Sequence, residues 1–187
     1  MSTTPKANRG PSAGPANRRA LIAAAREVFA TEGLAAPLSS VARRAGVGQG
    51  SLYRHFPDRL DLAVAVFDEN IGELEVFADQ PNATLDGLLD RVIEQALAST
   101  AFIDMITAHA HEPRVVHLGD RLREMVRTVV EREKSAGRLG DHVAADDVVL
   151  AISMLAGVLP RSDPDDRADI ARRGWALFHA AFAPRGA

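Results

Sequence analysis

The chain has 187 residues, 47% of them hydrophobic and 25% charged, with a net charge of -3 and no cysteine. That length can bury one good core with a small appended module but no third domain, and the missing cysteines exclude disulfides and thiolate metal sites. No apolar run reaches membrane-spanning length free of charge, and residues 1–16, rich in Pro, Gly, Ser, Thr and Asn, lack a signal peptide's apolar stretch. The expectation is a soluble, cytoplasmic chain with a disordered arm over residues 1–16 and no membrane partner.

The charge is divided unevenly. Residues 1–57 hold Lys6 and seven arginines against Glu27 and Glu32, a net +6, whereas the remaining 14 bases face 23 acids, a net -9. A polyanion is attracted to one end and repelled along the rest. Asn17 is placed to cap a first helix with an apolar stripe of Leu21, Ala24, Ala25, Val28 and Phe29, ending near Gly33. Arg18 and Arg19 then fall in its first turn, where positive charge opposes the helix dipole by roughly a few tenths of a kcal/mol unless an anion such as a phosphate is near.

Residues 41–57 read as two short helices around a tight turn. Val41, Ala42 and Ala45 pack inward, Gly46 stops the helix, Val47 plugs the turn, and Leu52 with Phe56 gives the next helix a buried i,i+4 pair. This is a helix-turn-helix. Outward lie Gln49, Ser51, Tyr53, Arg54 and His55, which can donate to phosphates or base edges, with no carboxylate among them to repel DNA. Gly48 and Gly50 flank Gln49 and remove bulk where this helix would meet a groove, so Gln49 is expected to carry much of the base reading.

The order Ala36-Pro37-Leu38, Val41 to Gly48, Gly50 to Pro57, Arg59 and Leu62 closely resembles the tetracycline-repressor (TetR) family over residues 17–67. Ala36-Pro37-Leu38 stands where family members often carry Thr, and Ser51 replaces a more usual Thr; Pro37 suits a first turn, and Ser39 or Ser40 can cap. The resemblance implies an all-α fold, in which a three-helix helix-turn-helix module over residues 17–63 is joined by a long helix to a helical effector-binding and dimerisation domain over residues 64–187. On the resemblance and on polarity, the expected DNA-binding residues are Arg18, Ser39, Ser40, Arg43, Arg44, Gly48, Gln49, Gly50, Ser51, Tyr53, Arg54, His55 and Arg59.

The fourth helix opens on a capping pattern, Asp58 and Asp61, and carries Leu60, Val64, Phe67, Ile71, Leu74 and Ala78 on one stripe. A helix from Leu85, an apolar segment over residues 101–110 broken by Pro113, and a charged helix running to about Gly137 follow. Phe67, Ile71, Phe77, Phe102, Met105, Ile106, His109, Leu122 and Met125 could line an apolar cavity, with His109 and Asp104 as polar handles; equally, such Phe and Met stripes can be plain core. An effector pocket there is what the resemblance implies.

The last two helices are apolar nearly all round. Residues 146–159 place Val148, Val149, Ile152, Leu155 and Leu159 on one side and Leu150, Ala151, Met154 and Val158 on much of the other; the final helix, opening at Asp163 and Pro164, behaves alike. One side suits the chain's own core and the other a second copy, with Gly157 and Gly174 allowing close approach. The resemblance implies a two-fold four-helix interface, and Ile152, Leu155, Val158, Leu159, Gly174, Trp175, Phe178 and Phe182 are its expected residues.

Other motifs weigh little. Asp163, Asp165, Asp166 and Asp169 suit a helix N-terminus better than a metal, and His109, His111 and His117 lack a shared helical face, so no metal and no cofactor is expected. No catalytic or nucleotide-binding motif is present, so the chain is not read as an enzyme. The expected function is a homodimeric repressor on a palindromic operator, released by a small apolar or amphipathic effector; alternatives are an activator, an effectorless regulator, or a helical enzyme or interaction protein on the same scaffold.

Overall fold

A computed structural model describes residues 13–33, 35–98 and 100–185, and all their side chains except those of residues 13, 100–102 and 104. Among the described residues the chain is helical throughout, with no strand. The described chain divides after Leu62 into two compact units.

In the first unit α1 (Ala13–Glu32), α2 (Leu38–Arg44) and α3 (Gln49–His55) pack against one another. Leu21, Ala24, Ala25, Val28 and Phe29 are all buried, as their spacing predicted, and Ile22 joins them. Gly33, at φ 75°, ends α1. The other end differs from expectation. The helix begins at Ala13, so Asn17 is no cap and residues 13–16 are not an irregular arm; the rest of that arm, residues 1–12, lies outside the described residues. Pro15 falls in the first turn, where backbone N–H groups have no helical partner, so it costs the helix no hydrogen bond. Arg18 and Arg19 consequently sit beyond the first turn, and the dipole argument for an anion beside them falls away.

The second unit contains most of α4 (Arg59–Ala78), then α5 (Leu85–Ala98), α6 (Thr100–Ala108), α7 (Pro113–Ser135), α8 (Ala145–Val158) and α9 (Arg167–Phe182), with a single 3-10 turn at Leu159–Arg161. The capping pattern before α4 is formed reciprocally: the Asp61 N–H donates to the Asp58 carboxylate at 2.7 Å and the Asp58 N–H to that of Asp61 at 3.3 Å. Leu74, Leu88, Leu89, Met125, Val126, Val129, Val148, Ile152 and Trp175 share one core. Arg132 on α7 closes the C-terminal end of α4, donating to the carbonyls of Ala78, Gln80 and Ala83 at 2.9–3.3 Å. A helix end leaves its last carbonyls short of backbone donors, and the Gln80 carbonyl also accepts from the Ala83 N–H at 3.0 Å. Asp163 and Pro164 lie in the turn before α9 rather than in its first turn: Asp163 accepts from the N–H groups of Asp165 and Asp166.

Candidate nucleic-acid interface

The connection between α2 and α3 is built by backbone hydrogen bonds. Gly46, at φ 66°, donates to Arg43, and Val47 reaches back to Ala42 at 3.0 Å, the double closure that a left-handed glycine permits at a helix end. Leu52 (0% exposed) and Phe56 (2%) anchor α3 from below. Gly48, Gln49, Gly50, Tyr53 and Arg54 are exposed, and Ser51 and His55 half-buried. A β-carbon added at Gly48 or Gly50 would meet nothing within 4 Å, and Gly48 has an ordinary extended backbone (φ -68°, ψ 145°). Nothing inside this unit therefore calls for glycine at either place, although a glycine inside a helix costs about 0.5–1 kcal/mol relative to alanine.

The arginines around this face are held in different ways. Arg18 lies over the Phe56 ring at 5.5 Å and Arg59 over the Phe29 ring at 5.2 Å. Ring stacking fixes a guanidinium's plane without consuming its N–H donors. Arg43 donates to the Ser40 hydroxyl and Arg54 to the Gly50 carbonyl. Arg44 is placed otherwise: its Nε and Nη2 both engage one carboxylate oxygen of Glu27 on α1. Two expectations need correction here. Ser40 is buried (8% exposed) and occupied by Arg43, so it is not a surface DNA contact. Neither Ser39 nor Ser40 caps α2, because the cap position is Pro37 and both serines lie inside the helix.

In the second unit, the expected dimer residues divide. Ile152, Leu155, Leu159, Trp175 and Phe182 are buried within this chain, and Phe178 is partly buried against the same core. Gly174 serves an internal contact, since a β-carbon there would come within 2.5 Å of the Leu155 side chain. The interface list thus mixed the inner and outer faces of α8 and α9. The large apolar side chains left exposed on these helices are Leu150 (59%), Met154 (52%), Val158 (47%) and Leu177 (73%). Of the expected interface residues, only Val158 belongs to that outer set.

The expected effector residues are distributed between core and surface. Ile71, Met105 and Met125 are buried, Phe67 and Ile106 half-buried, and Phe77 and Leu122 pack against the core cluster. Arg91 covers the Phe77 ring at 3.8 Å. His109 is exposed rather than turned inward, its Nδ1 2.8 Å from the Met105 carbonyl. The side chains of Phe102 and Asp104 lie outside the described residues. Arg121 of α7 forms a fork on Glu75 of α4, with Nε–Oε1 at 2.8 Å and Nη2–Oε2 at 2.6 Å, and also pairs with Asp68. The hydrogen bonds from Arg121 hold the Glu75 carboxyl below its usual range, and those to Glu75 raise the guanidinium. No three described His, Asp or Glu side chains converge as metal ligands, and no helix among the described residues is long and apolar enough to cross a membrane.

Residues 21–66 match the family model described as bacterial regulatory proteins, tetR family. Over that stretch, about a quarter of its length, the chain is similar to the TetR family. It is 28% identical to a TetR transcriptional regulator from Streptomyces coelicolor, covering 90% of this chain and 99% of that one with a TM-score of 0.67. A TetR-family regulator from Pectobacterium atrosepticum, 20% identical, shares the fold at a TM-score of 0.68 over 95% of this chain and 100% of its own. The curated relative FasR, a transcriptional activator of Mycolicibacterium smegmatis, is 32% identical over 57% of this chain and 48% of its own length. AcrR of Shigella flexneri, a transcriptional regulator, is likewise 32% identical, over 43% of this chain. The matches span less than half the length of these two curated relatives, 48% and 41%. All four relatives are regulators of transcription by name.

Proposed function

We propose that this TetR-like chain binds duplex DNA as a two-fold dimer, laying α3 in the major groove of each half of a palindromic operator and repressing transcription until a small apolar or amphipathic effector releases it. The observation that carries the DNA reading is the outer face of α3. Gln49 stands between two glycines that nothing inside the unit requires, beside Tyr53 and Arg54, on the end of the chain that carries a net +6. Removal of side chains next to a reader residue lets a helix approach base edges closely. Leu150, Met154, Val158 and Leu177 support the dimer, because four large exposed apolar side chains on two adjacent helices ask for cover. The effector reading rests on the apolar residues Phe67, Ile71, Met105 and Ile106 and on the family.

The test begins with duplexes selected by the protein from a random pool. Gln49→Ala is expected to relax one or two positions per half-site by about 1–3 kcal/mol, while Tyr53→Phe weakens all sequences alike. An equal loss on selected and random DNA for Gln49→Ala would overturn the assignment of Gln49. For the dimer, Met154→Glu combined with Leu177→Glu should give a folded monomer by sedimentation and lose operator binding; a persistent dimer would place the interface elsewhere. The name of the activator FasR supports a second reading, in which the same complex recruits rather than blocks polymerase. A reporter behind the selected operator decides between them by the sign of its response.

A further inference from the structure

Residues 1–57 contain only two carboxylates, Glu27 and Glu32, and one of them sits on an arginine of the helix-turn-helix. We propose that Glu27 is an internal competitor for DNA phosphate, holding Arg44 on α1 and thereby setting the strength and salt dependence of DNA binding. The inference rests on the DNA-binding reading above.

The geometry of the pair argues against a purely structural role. Both side chains are more than half exposed, 64% for Arg44 and 55% for Glu27, where an ion pair in water contributes little to stability. The two helices it joins are already packed together, with Val41 and Ala42 on one and Ala25 and Phe29 on the other all buried. A carboxylate and a phosphate offer a guanidinium the same kind of charged oxygen pair, so Arg44 cannot serve both fully at once. The neighbouring arginines differ in this respect. Arg43 and Arg54 rest on neutral acceptors, a hydroxyl and a carbonyl, which a phosphate outbids. Arg44 alone among these three starts from an anionic partner. Within a charge-rich surface, Glu27 therefore subtracts one phosphate contact per subunit and leaves the complex weaker and less salt-sensitive.

The experiment measures binding of a fluorescein-labelled duplex of mixed sequence by anisotropy across a potassium chloride series. Four full-length proteins are compared with the native chain: Glu27→Gln, Arg44→Gln, the double variant, and Glu32→Gln, which removes the same charge from the end of the same helix. Thermal melts confirm that each is folded. Glu27→Gln should raise affinity several-fold at low salt and steepen the slope of log K against log salt by about 0.9 per subunit, the signature of one more neutralised phosphate. Arg44→Gln should lower affinity modestly in the native background, because it leaves the Glu27 carboxylate unpaired, without costing a full slope increment, and it should erase the whole gain in the Glu27→Gln background. Glu32→Gln should give only a small rise with no change in slope. The proposal is overturned if Glu27→Gln and Glu32→Gln act alike, if Arg44→Gln already costs a full slope increment in the native chain, or if Glu27→Gln weakens binding, which would make Glu27 a positioning residue. A native chain that binds no duplex would instead refute the DNA-binding reading itself.

Discussion

The two units use arginine in opposite ways. In the second, Arg132 is spent on three backbone carbonyls and Arg121 on two carboxylates of the facing helix, so the guanidinium ties helices together. In the first, Arg18 and Arg59 lie over aromatic rings, Arg43 and Arg54 touch neutral acceptors, and Arg44 takes a carboxylate, that of Glu27. The same residue type ties separate elements together where its partner lies far along the chain, as for Arg121 and Arg132, and stays on its own helix where Arg43 and Arg54 reach back three and four residues. Where the partner sits along the chain tells the two uses apart.

That contrast can be broken by substitution. The largest effect on folding is expected from Arg132→Ala, which strips the donors from the end of α4 and should lower stability by about 2 kcal/mol in denaturant titration. A loss under about 0.5 kcal/mol would show that water replaces the arginine there. Next comes Glu75→Gln. Because hydrogen bonds from Arg121 depress the Glu75 pKa in the folded chain, its contribution is present above the unfolded carboxylate's range and is lost as pH falls through the lower folded value. The variant should be less stable at neutral pH by about 1 kcal/mol at most, since the pair is partly solvated, and the difference should shrink in acid. A difference constant with pH would assign the loss to packing. The smallest effect on folding, within about 0.5 kcal/mol, is expected for Arg54→Gln, an exposed residue. Its cost should appear in DNA binding as a salt slope shallower by about 0.9 per subunit.

Legibility in the sequence followed the range of the interactions. The turn at Gly46, the buried Leu52 and Phe56 pair and the Asp58–Asp61 cap are all made by residues within a few positions of one another, and each was readable. The start of α1 was hidden by Pro15 and Gly14, whose breaker character does not operate in a first turn. On α8 and α9 the pattern showed two apolar faces, but only tertiary packing decides which is inner. Trp175 and Phe182 therefore moved from the expected interface to the core. The Glu27–Arg44 pair spans 17 positions and two helices, and no local pattern announces it.

The short helix α3 has one more consequence. It is seven residues long, carries glycine at its cap with no side-chain hydrogen bond and a second glycine in its first turn, and is pinned from within mainly at Leu52 and Phe56. Such a segment is anchored at one end and held only by its own backbone bonds at the other, and so brief a helix gains little from those. Amide protons around Gly50 and Ser51 should exchange with solvent far sooner than those behind Leu52. The turn that carries Gln49 is closed in the isolated chain by the Ser51 and Leu52 N–H groups on the Gly48 carbonyl, so it is already formed yet held by few bonds, and a surface laid against it would slow that exchange.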